Sequence, residues 1–383
     1  MTETLYTEEE LILKKTIRDF VNIELTPVVA ENDRTGNFPS KPIKDLSGLG
    51  IYGIGIDESY GGVGGNSQQS SIVVEEIARV CAASSVTYIA HHSLAMYAIH
   101  KFGTKEQKKR FLPSMVNATT LGAFCLTEPA TGSDAAGIET TATYINNEYL
   151  LNGTKTFITN GSIAEIYIVF AKTHQEKGTK GINAIIVDKS KSKGIDTQFL
   201  DGKMGLRSSD TSQIFFTDVK VPQENLLGKD GDGFKIAMSV LDSSRISVAA
   251  QAVGIAQGAL ESALSYSKIR KTFGQPISNL QSIQFMLADM STRINAARLM
   301  TRHASQLKDQ GFQYTKEASE AKLFASECAS YCADKAVQIH GGYGYFQPSY
   351  AERAYRDAKV TEIYEGTSEI QRLVIARQIL KDA

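Results

Sequence analysis

Between about Thr7 and Met115 apolar residues recur at the spacing of a helix face, most plainly in Val73-Val-Glu-Glu-Ile-Ala-Arg-Val, which predicts a mainly helical first segment. The glycine-rich run Tyr60-Gly-Gly-Val-Gly-Gly interrupts it. That run lacks the preceding strand and following helix that a phosphate loop requires, so it reads as a turn. Pro129 and Pro222 then bracket a stretch without proline, and proline is excluded from central strands and helix interiors alike. Within it, Ile166 to Ala171 and Ile182 to Val187 are β-branched runs, and Asn152-Gly153 reads as a hairpin turn. Phe215, Val219 and Val221 alternate with Asp218 and Lys220, which predicts a half-buried antiparallel sheet. Beyond it, Val253, Ala256, Leu260 and Leu264 repeat at helical spacing, as do Met290, Ile294, Ala297 and Ala304. The last segment is therefore a bundle of long helices.

Helices, strands and helices again argue for three parts, here expected at residues 1–120, 121–228 and 229–383, and against an alternating βαβ fold. A chain of 383 residues exceeds the usual single domain. Its 41 basic and 42 acidic residues leave it without the electrostatic footprint of a nucleic-acid binder. The opening residues are acidic where a targeting presequence would be basic, and no run of about 18 apolar residues occurs, so a cytoplasmic protein without a membrane span is expected. Cys328 and Cys332 lie one helical turn apart among alanines, unsuited to a zinc pair, and all four cysteines are expected reduced and buried. The six histidines form no ligand pair with a carboxylate, so no metal site is expected.

Three runs carry a resemblance: Cys125-Leu-Thr-Glu-Pro-Ala-Thr-Gly-Ser-Asp134, Gln338-Ile-His-Gly-Gly342, and Tyr355 to Gln371 with Ile363-Tyr-Glu-Gly-Thr at its centre. With Phe157-Ile-Thr159, Lys203-Met-Gly-Leu-Arg207 and Arg270-Lys-Thr-Phe-Gly274, the chain resembles the acyl-CoA dehydrogenases over essentially its whole length, and most of all their short-chain (butyryl-CoA) branch. The resemblance implies a mainly α fold with a central β domain: a helical N-terminal domain, a β-barrel-like middle domain and a C-terminal four-helix bundle. It also implies tightly held FAD, a homotetramer, an electron-transferring flavoprotein as electron acceptor, and α,β-dehydrogenation of a short-chain acyl-CoA to the trans-2-enoyl-CoA in fatty-acid or branched-chain amino-acid catabolism.

Hydride removal from a β-carbon needs an electron sink that side chains cannot provide, which agrees with a flavin. By its place in the motif Glu365 matches the family's base, and Ile363 and Tyr364 before it suit a site where a carboxylate's proton affinity rises. Gly366 allows close backbone approach to the thioester. In other branches the base comes from a helix position that aligns with Ser244, and a serine there cannot serve unaided. For the cofactor, the resemblance implies Phe124, Leu126, Thr127, Ser133, Phe157 and Thr159 around the flavin. It further implies Arg270, Thr272, Phe273, Gln281, Gln338, Gly341 and Gly342 for the pyrophosphate and adenine, partly across a subunit interface. Thr367, Ser368 and Glu369 follow the base as further cofactor contacts. Ser133, Asp242, Arg245 and Gly366 match substrate positions. Plainer roles stand beside these: a helix C-cap for Gly341 and Gly342, an N-cap for Thr367 and Ser368, and a surface ion pair for Asp242 and Arg245. An oxygen-using acyl-CoA oxidase and a non-enzymatic binding relative remain as alternatives.

Overall fold

Thr7 starts the first helix because its side chain and that of Glu10 each bond the other's backbone amide, a reciprocal cap. The computed structural model describes residues 5–382. Its first part contains helices α1 (Glu8–Phe20), α2 (Thr26–Thr35), α3 (Ser67–Ala78), α4 (Ala82–Tyr88) and α5 (Lys105–Val116). Helix α3 is buried along most of its length, so its two acids need partners. Arg298 reaches Glu75 at 2.8 Å and Arg18 reaches Glu76 at 2.8 Å. Tyr60 to Gly65 is a turn, as its glycines suggest, with Gly61, Gly64 and Gly65 at positive φ.

The middle part holds strands β1 (Gly122–Cys125), β2 (Thr141–Ile145), β3 (Glu148–Thr159), β4 (Ile166–Lys172), β5 (Ile182–Asp188), β6 (Ile195–Phe199), β7 (Thr211–Pro222) and β8 (Leu226–Leu227). They lie in the order β6-β7-β3-β2-β4-β5-β8, with β1 also beside β4. Most neighbours are antiparallel, but β1–β4 and β2–β4 are parallel. Asn152-Gly153 is not the hairpin turn. The chain turns at Asn146-Asn147, both at positive φ, while β3 runs straight through Asn152-Gly153 opposite a bulge in β7, where Thr217 and Asp218 face Asn152. Gly153 is required there because a Cβ would lie 2.5 Å from Thr140 Oγ1. Asn152 instead bridges to β7, exchanging hydrogen bonds with Asp218 at 2.9 and 3.0 Å. The same irregularity shifts the phase of β7: Phe216 faces inward with Val219 and Val221, and Phe215 is only half-buried.

The last part holds α6 (Gly233–Ile269), α7 (Gln281–Asp309), α8 (Thr315–His340) and α10 (Ser368–Asp382), with α9 (Tyr350–Lys359) packed on α8 and α6. The closest helix pair is α6 with α8, where α8 presents the small residues Ala318, Ala321, Ala325 and Ala329. Gly254 and Gly258 let the backbone of α3 approach α6, since a Cβ at either would meet Glu75 O or Arg79 O within 2.4 Å. Leu264, expected to continue the buried stripe of α6, is exposed. All four cysteines are free and buried. No described helix is long and apolar enough to cross a membrane.

Candidate active site

After α9 and a short 3-10 turn (Val360–Glu362), the backbone enters the left-handed region twice in succession, at Glu365 (φ +55°) and Gly366 (φ +91°). For glutamate that conformation costs roughly 1–2 kcal/mol, so surrounding contacts must hold it. Gln371 Nε2 donates to Glu365 O at 3.2 Å and to Gly366 O at 2.8 Å. Lys322 Nζ donates to Gly366 O at 2.7 Å. Thr367 Oγ1 accepts from Ile370 N at 3.3 Å and caps α10, with Ser368 buried behind it and Glu369 exposed in the first turn.

The Glu365 side chain turns toward α6, where Ser244 Oγ donates to its Oε2 at 2.6 Å. Burial raises its proton affinity above the ordinary carboxylate range, opposed by Ser244, Arg245 and Lys322. The next residue of α6 is Arg245, whose Nη1 donates to Asp242 Oδ1 at 2.6 Å, and Thr315 Oγ1 donates to the other Asp242 oxygen at 2.8 Å. Arg245 is only 5% exposed, so this is no surface pair, and its Nε has no protein partner. His91 and His92 are committed elsewhere. His91 binds Met115 O at 2.9 Å and accepts from Gly122 N at 2.9 Å, while His92 binds Ile54 O at 2.7 Å. Burial pushes their pKa values down to about 3 and about 4, so both are neutral structural groups.

On the sheet side, Phe124 and Leu126 belong to the same apolar cluster as Val240 and Leu241 of α6. Thr127 O accepts from Thr156 N at 2.9 Å, tying the following loop to β3. Sequence reasoning missed what anchors that loop. Lys155, fully buried, donates to Glu128 Oε1 at 2.6 Å and to Leu126 O at 3.1 Å, and Glu128 accepts from Thr140 N at 3.0 Å. Phe157 sits on a bulge of β3 at φ +56°, with its ring 70% exposed. Thr159 is half-buried on the same side of the strand and Ser133 is exposed on the loop. The buried atoms Thr131 Oγ1, Ser368 Oγ and Gln371 Oε1 have no protein partner. An open aromatic ring together with unsatisfied hydroxyl and amide groups fits a planar, polar cofactor such as FAD.

A second group lies elsewhere. Arg270, Thr272, Gly341 and Gly342 line an open cavity of ≈ 910 Å³ floored by Ile277, Leu280 and Ile339. Gly341 ends α8 at φ +59°, so it is also the C-cap residue. Gln338, Phe273 and Gln281 are exposed around this corner, Phe273 at 93%. Ser244 and the end of α6 at Ile269 are 25 residues apart on one helix, roughly 38 Å at 1.5 Å per residue. Extended FAD does not span that distance, so one dinucleotide cannot touch Glu365 and Arg270 of the same chain.

Three family models match in succession: the acyl-CoA dehydrogenase N-terminal domain over residues 7–119, the middle domain over 123–219, and the C-terminal domain over 231–380. The chain belongs to the acyl-CoA dehydrogenase family. It is 48% identical to an acryloyl-CoA reductase (NADH) of Anaerotignum propionicum over 98% of this chain and 95% of that one. It is 45% identical to the CarC subunit of the caffeyl-CoA reductase-Etf complex of Acetobacterium woodii, covering 98% and 99% of the two chains. The solved structure of butyryl-CoA dehydrogenase from Megasphaera elsdenii superposes with a TM-score of 0.96 at 45% identity, over 98% of this chain and 99% of that one. The protein is thus an acyl-CoA dehydrogenase in fold and enzyme class, most similar to the short-chain branch, and membership of this family implies a flavoprotein.

The residues that hold the acyl-CoA dehydrogenase turn in place, Lys322 and Gln371, were not singled out from sequence. Lys322 left a signal: a lone lysine inside the alanine stripe of α8, three residues before Ala325 and four after Ala318.

Proposed function

We propose that this acyl-CoA dehydrogenase carries out FAD-dependent α,β-dehydrogenation of a short-chain acyl-CoA, with Glu365 as the base. The observation that carries this reading is a carboxylate of raised proton affinity, held in a left-handed turn by hydrogen bonds to both flanking carbonyls and to its own Oε2. A base with an ordinary carboxylate pKa would be too weak for an α-proton. Desolvation raises that affinity toward working pH, while Ser244 and the nearby cations keep the group ionised enough to act. The Glu365 N–H, fixed by the same turn, supplies a donor for the thioester oxygen as enolate character develops. FAD, when bound, accepts the hydride that leaves the β-carbon.

Phe124, Leu126, Thr127, Ser133, Phe157, Thr159, Thr367, Ser368 and Glu369 form the flavin side of this reading, and Asp242, Arg245, Ser133 and Gly366 the CoA side. The Arg270, Thr272, Phe273, Gln281, Gln338, Gly341 and Gly342 corner would hold the distal half of FAD belonging to a second copy, since the length of α6 forbids the same copy. A site shared in this way needs at least two copies, and the homotetramer implied by the resemblance is part of this proposal.

An electron-transferring flavoprotein is the redox partner in this reading, supported by the similarity to a subunit of a reductase-Etf complex. The names of two relatives also favour the reverse direction, reduction of a short enoyl-CoA, which would use the same proton and hydride positions. Anaerobic titration with butyryl-CoA, followed by the visible flavin spectrum, tests the central claim. Bleaching that is lost in Glu365→Gln, with flavin retained, is expected; a protein that takes up no FAD, or a Glu365→Gln variant that turns over normally, sinks it.

A further inference from the structure

Lys322 is fully buried, and among the described residues its one hydrogen bond is to the carbonyl of Gly366, the residue immediately after Glu365, at 2.7 Å. No carboxylate oxygen of the described residues lies within ion-pair distance of it. A buried ammonium held by a neutral carbonyl is costly to the fold, which asks what the charge does there.

The charges around Glu365 answer that question. From α6 it faces Arg245, but Arg245 is paired with Asp242 at 2.6 Å, so those two nearly cancel. From α8 it faces Lys322, whose bond to a carbonyl leaves its charge uncompensated. On its own segment Glu362 and Glu369 face Lys322, yet Glu362 is tied to Lys359 at 2.7 Å and Glu369 is exposed to solvent. Tyr364 beside it remains a neutral phenol, bonded to Gln251. Lys322 is therefore the main unbalanced positive charge on the desolvated carboxylate.

We propose that Lys322 is a positioning residue for the base: it pins the left-handed Glu365–Gly366 turn through the Gly366 carbonyl, and its charge keeps the Glu365 carboxylate ionised at neutral pH. The inference rests on Glu365 being the base. Burial pushes the pKa of Lys322 down to about 8, so the ammonium is present at neutral pH and is lost in mild alkali.

The test is the pH profile of kcat/KM for butyryl-CoA with FAD-loaded wild type, Lys322→Met and Lys322→Arg, alongside Glu365→Gln and a thermal melt of each. For Lys322→Met the acid limb should move to higher pH by about one unit, with a loss that approaches about tenfold below the limb and narrows as pH rises. Lys322→Arg should keep the acid limb where wild type has it, because a guanidinium preserves the positive charge. An acid limb unmoved in Lys322→Met overturns the proposal, whatever happens to its melting temperature. Should Lys322→Met fail to fold, Lys322→Gln takes its place, and an acid limb unmoved there overturns the proposal instead. A Glu365→Gln enzyme that turns over removes the base assignment and this proposal together, whereas an inactive Glu365→Gln with an unmoved Lys322→Met profile removes only the proposal.

Discussion

Ser244 donates a 2.6 Å hydrogen bond to Oε2 of Glu365, joining two residues 121 positions apart. A hydrogen bond to a charged group is worth about 1.5–3 kcal/mol, and here it favours the ionised form of a carboxylate whose burial favours the protonated one. Ser244→Ala should therefore raise the Glu365 pKa further and lower kcat/KM about tenfold or more below that pKa. Activity should recover as pH rises, because the base still ionises. A loss equal at every pH would show that Ser244 orients Glu365 without tuning it.

Glu128 and Lys155 are a buried pair at 2.6 Å whose three other bonds, from Glu139 N and Thr140 N to Glu128 and from Lys155 to Leu126 O, fasten the loop after β1 to β3. Although burial pushes Glu128 up, Lys155 holds its carboxyl below the usual range. Removing one partner leaves a buried charge alone, so Glu128→Ala or Lys155→Ala should cost about 3–5 kcal/mol in denaturant unfolding. The double variant should cost less than the sum of the two. Additive losses in that cycle would refute the coupling.

Arg270 borders the cavity at the far end of α6 from Ser244. If that cavity holds the distal half of a dinucleotide bound to another copy, Arg270→Ala should weaken FAD retention about tenfold by loss of a charged phosphate contact. Diluting the wild type until it dissociates should release flavin in parallel. Flavin that stays bound to isolated monomers would count against a shared site.

Asp357 on α9 accepts from Leu206 N at 2.7 Å, and burial raises its pKa to about 6 despite Arg353 and Arg356 nearby. The sign follows from linkage: between the ordinary pKa near 4 and the folded value, the folded state binds the extra proton, so rising pH removes stability. Asp357→Asn, which keeps an acceptor for Leu206 N, should gain relative to wild type by about 2 kcal/mol between pH 4 and pH 6. A wild type-to-variant difference that does not change over that interval would show that Asp357 keeps an ordinary pKa.

Periodicity determined much of this protein in the sequence alone. The helical face of α3, the β-branched runs of β4 and β5 and the long stripes of α6 and α7 are local patterns, set by 3.6- and 2-residue repeats that need no distant partner. The Glu365 motif was legible as well, through its resemblance to the acyl-CoA dehydrogenases and not through local chemistry, which alone allows an ordinary loop carboxylate. Tertiary structure decided what depends on neighbours far along the chain. Asn152-Gly153 has the composition of a turn, yet it lies in a continuous strand, closed against Thr140 and opposite a bulge at Asp218, and that bulge reverses which of Phe215 and Phe216 faces the core. The partners of Glu365 are equally invisible to spacing, since Ser244 and Lys322 come from two different helices and meet it only when the bundle closes. A residue's type fixes what chemistry it can offer; its proton affinity and reach are set by desolvation and by the charges that folding brings beside it.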